Sequence, residues 1–535
     1  MRTRITYIQK PQAPFDPSQA TLTPSALAIH NLDAAREERV TLGFDELPGE
    51  LWQVLKQCHQ IHVRWARREG YEAVSPFSSR VSPGLHVFFS PVAGVASGGA
   101  TDGGAGGRVS SMESVCTLLK KVFDSRLGCE NVEKSFITPP ILSTRFASTA
   151  AYQFYELLPS LENLVTYLQQ KHCERDNEEC HRRAELILSA DSIDINYDSV
   201  SHALTMSGYW SKSPTPEGWT ETIQKYEGAT GKVEVGLLGA EAANEPEEIK
   251  MGGLLADVGS DTELKPTLFS FPSRHHPLLD EAEYSVSFSP PTGLHPTMTI
   301  SMAREALKEP PGGPEVACAL HAYLTLPSSL FGDKYQLSTT DDLFLKSHNL
   351  VALRAVAGET DLEAPDWFVS RWGSSWLLEL DTPLDSDQGS EDWNVTIPLH
   401  LRYLHPSASG YRSVSIPWPV VFWACTAEDG TKMGMNPFDR VNLGWEGLFG
   451  PRTMFYQLHP SPLNENNVLV EELKVPVLTV KENSGIFQSK VIELGTVAVI
   501  VLGFLWVLWK LALVVRSSGI RPQERQGTGK RDKAE

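Results

Sequence analysis

From about residue 281 onward, apolar and polar side chains alternate along several short runs, the period expected of strands with one buried face. Val316, Cys318, Leu320, Ala322 and Leu324 share one face of such a run, with His321 and Tyr323 on the other. Val395, Ile397, Leu399, Leu401 and Tyr403 repeat the pattern and place Thr396, Pro398, His400 and Arg402 opposite. Pro398 cannot donate to a ladder, so this run is expected at a sheet edge. Turns rich in Pro, Gly and Ser separate the runs, which predicts a mainly β, antiparallel sandwich-like domain over 281–476. The region before it, 1–226, mixes strand-like runs at 5–8, 40–44, 62–65 and 85–89 with helical patterns at 51–58, 112–123 and 160–172. It reads as α+β. Two stretches lack either period: AGVASGGATDGGAGG at 93–107, expected as a mobile loop, and a Gly/Glu-rich linker over 227–263.

A different pattern closes the chain. Residues 494–515, LGTVAVIVLGFLWVLWKLALVV, are apolar all round, and their one charge, Lys510, lies where it can snorkel to headgroups. As a helix the run is about 33 Å long, enough to cross a hydrocarbon core of about 30 Å. Arg516, Arg521, Arg525 and Lys530 follow it closely, against Lys481 and Lys490 before it, which predicts a cytoplasmic basic tail at 516–535. The large N-terminal part would then be lumenal. The sequon Asn394-Val395-Thr396, usable only in the secretory lumen, points the same way. The first ten residues contain no apolar run of the length that a signal peptide uses, so a cytosolic body with a tail anchor stays open at this stage.

The net charge is −19, of which the tail contributes +3, leaving −22 on residues 1–515. Such a body is a poor partner for nucleic acid or for an anionic membrane surface. Seven cysteines in 535 residues are too few for a disulfide-built scaffold, and the odd count leaves at least one without a partner in the chain.

Sequence signatures of nucleotide binding, serine hydrolysis and zinc proteolysis are missing, and no cofactor is expected. Asp385-Ser386-Asp387 matches the Asp-x-Asp pattern that places a divalent cation against a sugar-nucleotide phosphate, so a lumenal glycosyltransferase is the alternative enzyme reading. It stands in a polar stretch, DTPLDSDQGSED, that equally reads as a solvated loop. His172-Cys173 and Cys180-His181 bear zinc-type donors, but their spacing fits none of the common structural patterns, and one local disulfide serves as well. His275 and His276, being adjacent, point apart and do not make a shared metal site. Cys318 and Cys425 both fall in predicted strands of the β region, where a disulfide or two buried thiols both fit.

Four blocks of the β region carry a resemblance. CALHAYLTLP at 318–327 with the SSLFGDKYQ that follows it, PLHLRYL at 398–404, IPWPVVFWAC at 416–425 and NPFDRVNLGWEGLFG at 436–450 occur in the order found in the PIG-X family and its fungal PBN branch. The resemblance covers roughly 281–515. It implies a non-catalytic subunit of the first GPI mannosyltransferase of the endoplasmic reticulum membrane, with a glycosylated lumenal domain and one C-terminal span. Its implied partner is a multi-span catalytic subunit of the PIG-M type, which it stabilises, and other endoplasmic-reticulum proteins are further possible clients. The family places no catalytic residue, cofactor or metal in this subunit. Aromatic and Arg side chains are favoured in interface hot spots, which makes Trp418, Trp423, Trp445 and Arg452 candidate partner contacts; plain core packing is the competing reading.

Overall fold

The structure, a computed structural model, describes residues 1–9, 16–92, 111–139, 152–225, 231–289, 293–311, 317–383, 392–427, 433, 436–438, 440, 442–463, 467–479 and 489–517. The stretch 93–107, Val316, Asp385, Asp387 and the tail beyond Ser517 lie outside them.

In the N-terminal region the alternating runs extend into long strands that build a ten-stranded sheet. Its order is Lys265–Pro272, Glu248–Asp257, Lys232–Glu241, Arg2–Gln9, Ala35–Gly43, Ala203–Trp210, Ser192–Asp198, Cys58–Ala66, Gly84–Pro91 and Tyr152–Glu156. All its pairings are antiparallel except Arg2–Gln9 on Lys232–Glu241, which is parallel with Ile5 opposite Val235. The period of two sends Ile5 and Tyr7 to one core cluster and Ile8 to another on the opposite face. Helices Gly49–Leu55, Ser111–Val122 and Glu162–Lys171 cover the first face through Val54, Leu119 and Leu164. The first is shorter than expected, because Cys58 already opens a strand.

The 227–263 stretch is not a linker. It supplies the strands Lys232–Glu241 and Glu248–Asp257, with Val235, Leu237, Leu238 and Met251 buried. Gly253 in it answers a packing demand rather than a need for mobility. Gly253 has φ +153°, and a Cβ there would lie 2.0 Å from Leu237 O on the paired strand.

The β region forms two larger sheets, beside the two-stranded pairings of Leu330–Phe331 with His400–Leu401 and of Tyr411–Pro417 with Val470–Pro476. One runs His275–His276, Thr453–Gln457, Val420–Thr426, Cys318–Pro327, Gly373–Leu380 and Leu350–Gly358; the other Trp393–Pro398, Thr297–Met302, Glu283–Phe288 and His459–Pro460. Apart from two-residue parallel pairings at one edge of each, they are antiparallel. The Pro398 strand is an edge strand. Val395, Ile397, Leu399 and Leu401 face inward as the alternation predicts, and Met298, Ile300, Leu320, Leu324 and Trp376 are buried as well. Hydrogen bonds from Trp423 Nε1 to Ala306 O (2.9 Å), Tyr284 OH to Pro419 O (2.7 Å) and Asn349 Nδ2 to Asn394 O (2.8 Å) tie the layers together.

Two side chains depart from the alternation. His321 and Tyr323, expected on a solvated face, are buried because the connection through Leu443, Trp445 and Phe449 packs over that face of the larger sheet. Tyr403, expected inward, is exposed because strand pairing ends at Leu401 and the chain turns away.

The N-terminal sheet and the sandwich belong to one unit, Met1–Leu404 with Ser413–Val475. The segment around Asn436–Arg440 seams them together. Phe438 enters the cluster of Ile8, Tyr209 and Met251, and Pro437 O accepts from Arg39 Nη1 (2.5 Å) and Arg4 Nη2 (3.4 Å). Both arginines also pair with buried Glu37, at 2.8 and 3.2 Å. Burial pushes the Glu37 carboxyl up, but the two guanidiniums outweigh it and hold it below the usual carboxylate range. Arg440 pairs with Asp194 at 2.8 Å, donates to Ser79 O and lies over the Phe77 and Tyr209 rings.

The second unit comprises His405–Arg412 and Pro476–Glu535. In it Ser407 bridges Thr479 and donates its N–H to Leu478 O, and the helix Ser489–Ser517 follows.

Candidate interaction surfaces

The longest apolar surface is the helix itself. Every side chain described from Lys490 to Ser517 is exposed, including Leu494, Val499, Leu505 and Val515. Water does not sustain an uncovered apolar cylinder of that length, so lipid or another helix must cover it. Lys510 lies 5.8 and 5.5 Å from the ring centres of Trp506 and Trp509, one turn and one residue before it, where indoles and a snorkelling ammonium share the headgroup level.

The predicted contact tryptophans are core residues. Trp445 is fully buried, stacked on Phe422 at 5.3 Å, and Trp418 and Trp423 are buried as well. Trp418 donates its indole N–H to Glu471 (3.1 Å) and Trp423 to Ala306 O, so these two polar tips are satisfied inside, whereas Trp445 Nε1 is buried without a hydrogen-bond partner among the described residues. Arg452 is half-buried at a turn, its carbonyl accepting from Ala427 N.

Cys318 and Cys425 face each other on paired strands and are joined as a disulfide with Cα atoms 4.1 Å apart. Cys173 and Cys180 form a second, so their sulfurs are not zinc ligands, and Cys116–Cys129 form a third that the sequence reading did not anticipate. Cys58 is the buried free thiol, its pKa pushed up to about 12 by burial. His275 and His276 do point apart. His275 Nε2 meets Glu446 at 2.9 Å and His276 donates to Ser273 O at 2.7 Å. Among the described residues, no three His, Cys, Asp or Glu side chains converge as metal ligands. Asn394 is exposed on its edge strand, its Oδ1 accepting from Ser301 Oγ at 2.6 Å.

Buried histidines set a pH dependence. Burial holds His62, His86 and His276 down to about 4, against 6.5 for the free imidazole. Between those values the unfolded chain binds protons that the folded chain refuses, so stability falls as pH drops from 6.5 toward 4. Urea midpoints of the full chain in detergent should accordingly be lower at about pH 5 than at about pH 7. Equal midpoints would contradict this account of the three sites.

One exposed patch escaped the sequence reading. Residues 359–371 connect two strands of the larger sheet and display Trp367 and Phe368 outward, and Asp366 N donates to Tyr403 O (3.1 Å), which places Tyr403 beside them. Buried Arg402 fixes the loop by donating from Nη1 to Asp361 O (2.5 Å) and Ala364 O (2.8 Å) while lying 4.2 Å over the Phe331 ring. A Trp-Phe pair in an acidic, proline-bearing loop was the available signal.

Among the described residues, the fold and the helix give a β-rich globular body followed by one candidate membrane span, which fits a single-pass membrane protein. The PIG-X / PBN1 family profile matches residues 291–512, from the sandwich through most of the helix. "Protein pbn1" of Emericella nidulans is 74% identical over 100% of both chains, and that of Neurospora crassa 39% identical over 98% of each. "Protein PBN1" of Yarrowia lipolytica is 27% identical over 77% of this chain and 78% of its own. The chain belongs to the PIG-X/PBN1 family, and membership gives it a role in GPI-anchor biosynthesis. Among solved structures, the C-terminal domain of the Streptococcus pyogenes antigen I/II-family protein AspA aligns over 89% of this chain and 99% of its own at a TM-score of 0.11 and 8% identity, too low to relate the folds.

Proposed function

We propose that the chain is a non-catalytic subunit of the endoplasmic reticulum membrane that binds and stabilises the multi-span mannosyltransferase adding the first mannose to GPI-anchor precursors. The body faces the lumen, the basic tail the cytoplasm, and Asn394 carries an N-glycan. The observation that carries this placement is the set of three disulfides in the globular body, since such bonds persist in oxidising compartments and are rare in the cytosol. The exposed sequon on an edge strand supports it, with the glycan free to project away from the sheet.

Stabilisation follows from mass action. A subunit that binds only the folded enzyme shifts it away from unfolded forms, by more as its concentration exceeds the dissociation constant. One helix offers no enclosed path for a lipid-linked sugar, but it and the folded body each provide a surface for a larger membrane enzyme. Support for other endoplasmic-reticulum proteins would use the same surfaces. Affinity capture from mild detergent should recover a multi-span mannosyltransferase, and removal of this chain should lower that enzyme's abundance. Capture without it, together with unchanged enzyme abundance on removal, would defeat the proposal.

A further inference from the structure

We infer that the aromatic loop 359–371, with Tyr403, is a second membrane contact that seats the globular body on the surface of a zwitterionic bilayer. Phe368 is 78% exposed, Tyr403 68% and Trp367 52%, although large aromatic rings gain much from burial. Their exposure is held in place. The turn Asp366–Phe368 is fixed by Ser328 Oγ donating to Asp366 Oδ1 at 2.6 Å and by the Arg402 contacts to Asp361 O and Ala364 O. Arg402 Nε also donates to Ser328 O at 2.9 Å, so one buried guanidinium ties the loop, the Tyr403 strand end and the neighbouring sheet into a rigid mount.

Chain connectivity and the chemistry of the loop point to lipid as its cover. The body's chain leaves it at Leu404, the residue after Tyr403, and finally at Val475, with Ser489 opening the helix. The fourteen peptide steps from Val475 to Ser489 span at most about 50 Å when fully extended, which bounds the tether between the body and the span. Trp and Tyr favour the headgroup level, where an amphipathic ring keeps its polar edge wet. The charges choose the lipid. Glu359, Asp361, Glu363 and Asp366 outnumber Lys134 and Arg371 around the loop, which repels anionic headgroups. A cleft of about 350 Å³ beside Phe368, lined by Lys134, Arg371, Glu359 and Asp361, offers both signs to a headgroup that carries a phosphate and an ammonium. The contact serves whichever way the span is oriented, so it stands or falls separately from the proposed partner.

The test uses the full chain in phosphatidylcholine vesicles doped with a phosphatidylcholine bearing a diazirine on its acyl chain, with adducts mapped by mass spectrometry after irradiation. Adducts are expected on 361–371 and at Tyr403 in addition to the helix, with no gain when phosphatidylserine replaces part of the lipid. The pair Trp367→Ser and Phe368→Ser should reduce loop adducts several-fold and leave those on the helix unchanged. Labelling confined to the helix in the unsubstituted chain would overturn the inference. So would loop labelling that requires phosphatidylserine, or that appears only with a co-purified membrane protein, which would make the patch a protein-docking surface.

Discussion

Replacing Arg440 with Ala is expected to destabilise the body by about 2–5 kcal/mol, from charge-assisted hydrogen bonds of about 1.5–3 kcal/mol and cation–π contacts of about 0.5–2 kcal/mol. The substitution leaves Asp194, itself buried, with Arg64 as its remaining ion-pair partner at 3.1 Å. It also strips the Phe77 and Tyr209 rings of their cation and removes the donor to Ser79 O. Because Arg440 comes from the sandwich and Asp194 from the N-terminal sheet, the loss falls on the seam between them. Against a total stability of about 5–15 kcal/mol, it is large enough to lower the folded population at growth temperature. Urea unfolding of the full chain in detergent reads it as a lower midpoint. A midpoint unchanged in Arg440→Ala would mean that the seam does not depend on this pair.

Cys318→Ser is expected to cost a similar amount, about 4–5 kcal/mol on the chain-entropy account of a cross-link that closes a loop of about 100 residues. The Cys318–Cys425 bond spans a separation of 107 and ties two central strands of the six-stranded sheet, so its loss frees most of the sandwich sequence in the unfolded state. Cys173→Ser opens a loop of separation 7 and should cost less, below about 3 kcal/mol. The ordering of the two midpoints is the informative result. A larger loss from Cys173→Ser than from Cys318→Ser would show that strand pairing, rather than the cross-link, limits the freedom of the unfolded sandwich.

The sequence showed most clearly those elements whose periodicity is set by a single boundary. Val395 to Leu401 alternate because one face meets the core and the other meets solvent, and the helix is apolar all round because it meets no polar surface over its length. Where two protein surfaces enclose one strand, the alternation carries less information: His321 and Tyr323 looked outward only because the covering segment, near Trp445, lies more than a hundred residues away in sequence. The 227–263 region misled for the opposite reason. Glycine content that reads as a flexible linker is needed at Gly253 to let two backbones approach, and only the close approach of the Leu237 carbonyl on the paired strand reveals that need.

The interaction surfaces divide in the same way. Aromatic richness made Trp418, Trp423 and Trp445 candidate partner contacts with core packing as the competing reading, and composition cannot separate the two, since a hot spot and a core both want large rings. The rings that remain exposed, Trp367, Phe368 and Tyr403, sit in a loop whose outward display depends on Arg402, a residue the strand pattern placed on the polar face without revealing its burial. The pairing of Cys318 with Cys425 was open from sequence and is settled by register, since the two residues stand opposite each other on neighbouring strands.

The central claim, a lumenal body held by one span, is tested most directly by endoglycosidase H digestion of the native chain beside Asn394→Gln. Lumenal placement predicts a mobility shift in the native chain and none in the variant. A native chain that does not shift, and whose body is degraded by protease added to sealed microsomes, would place the body in the cytosol and contradict the account.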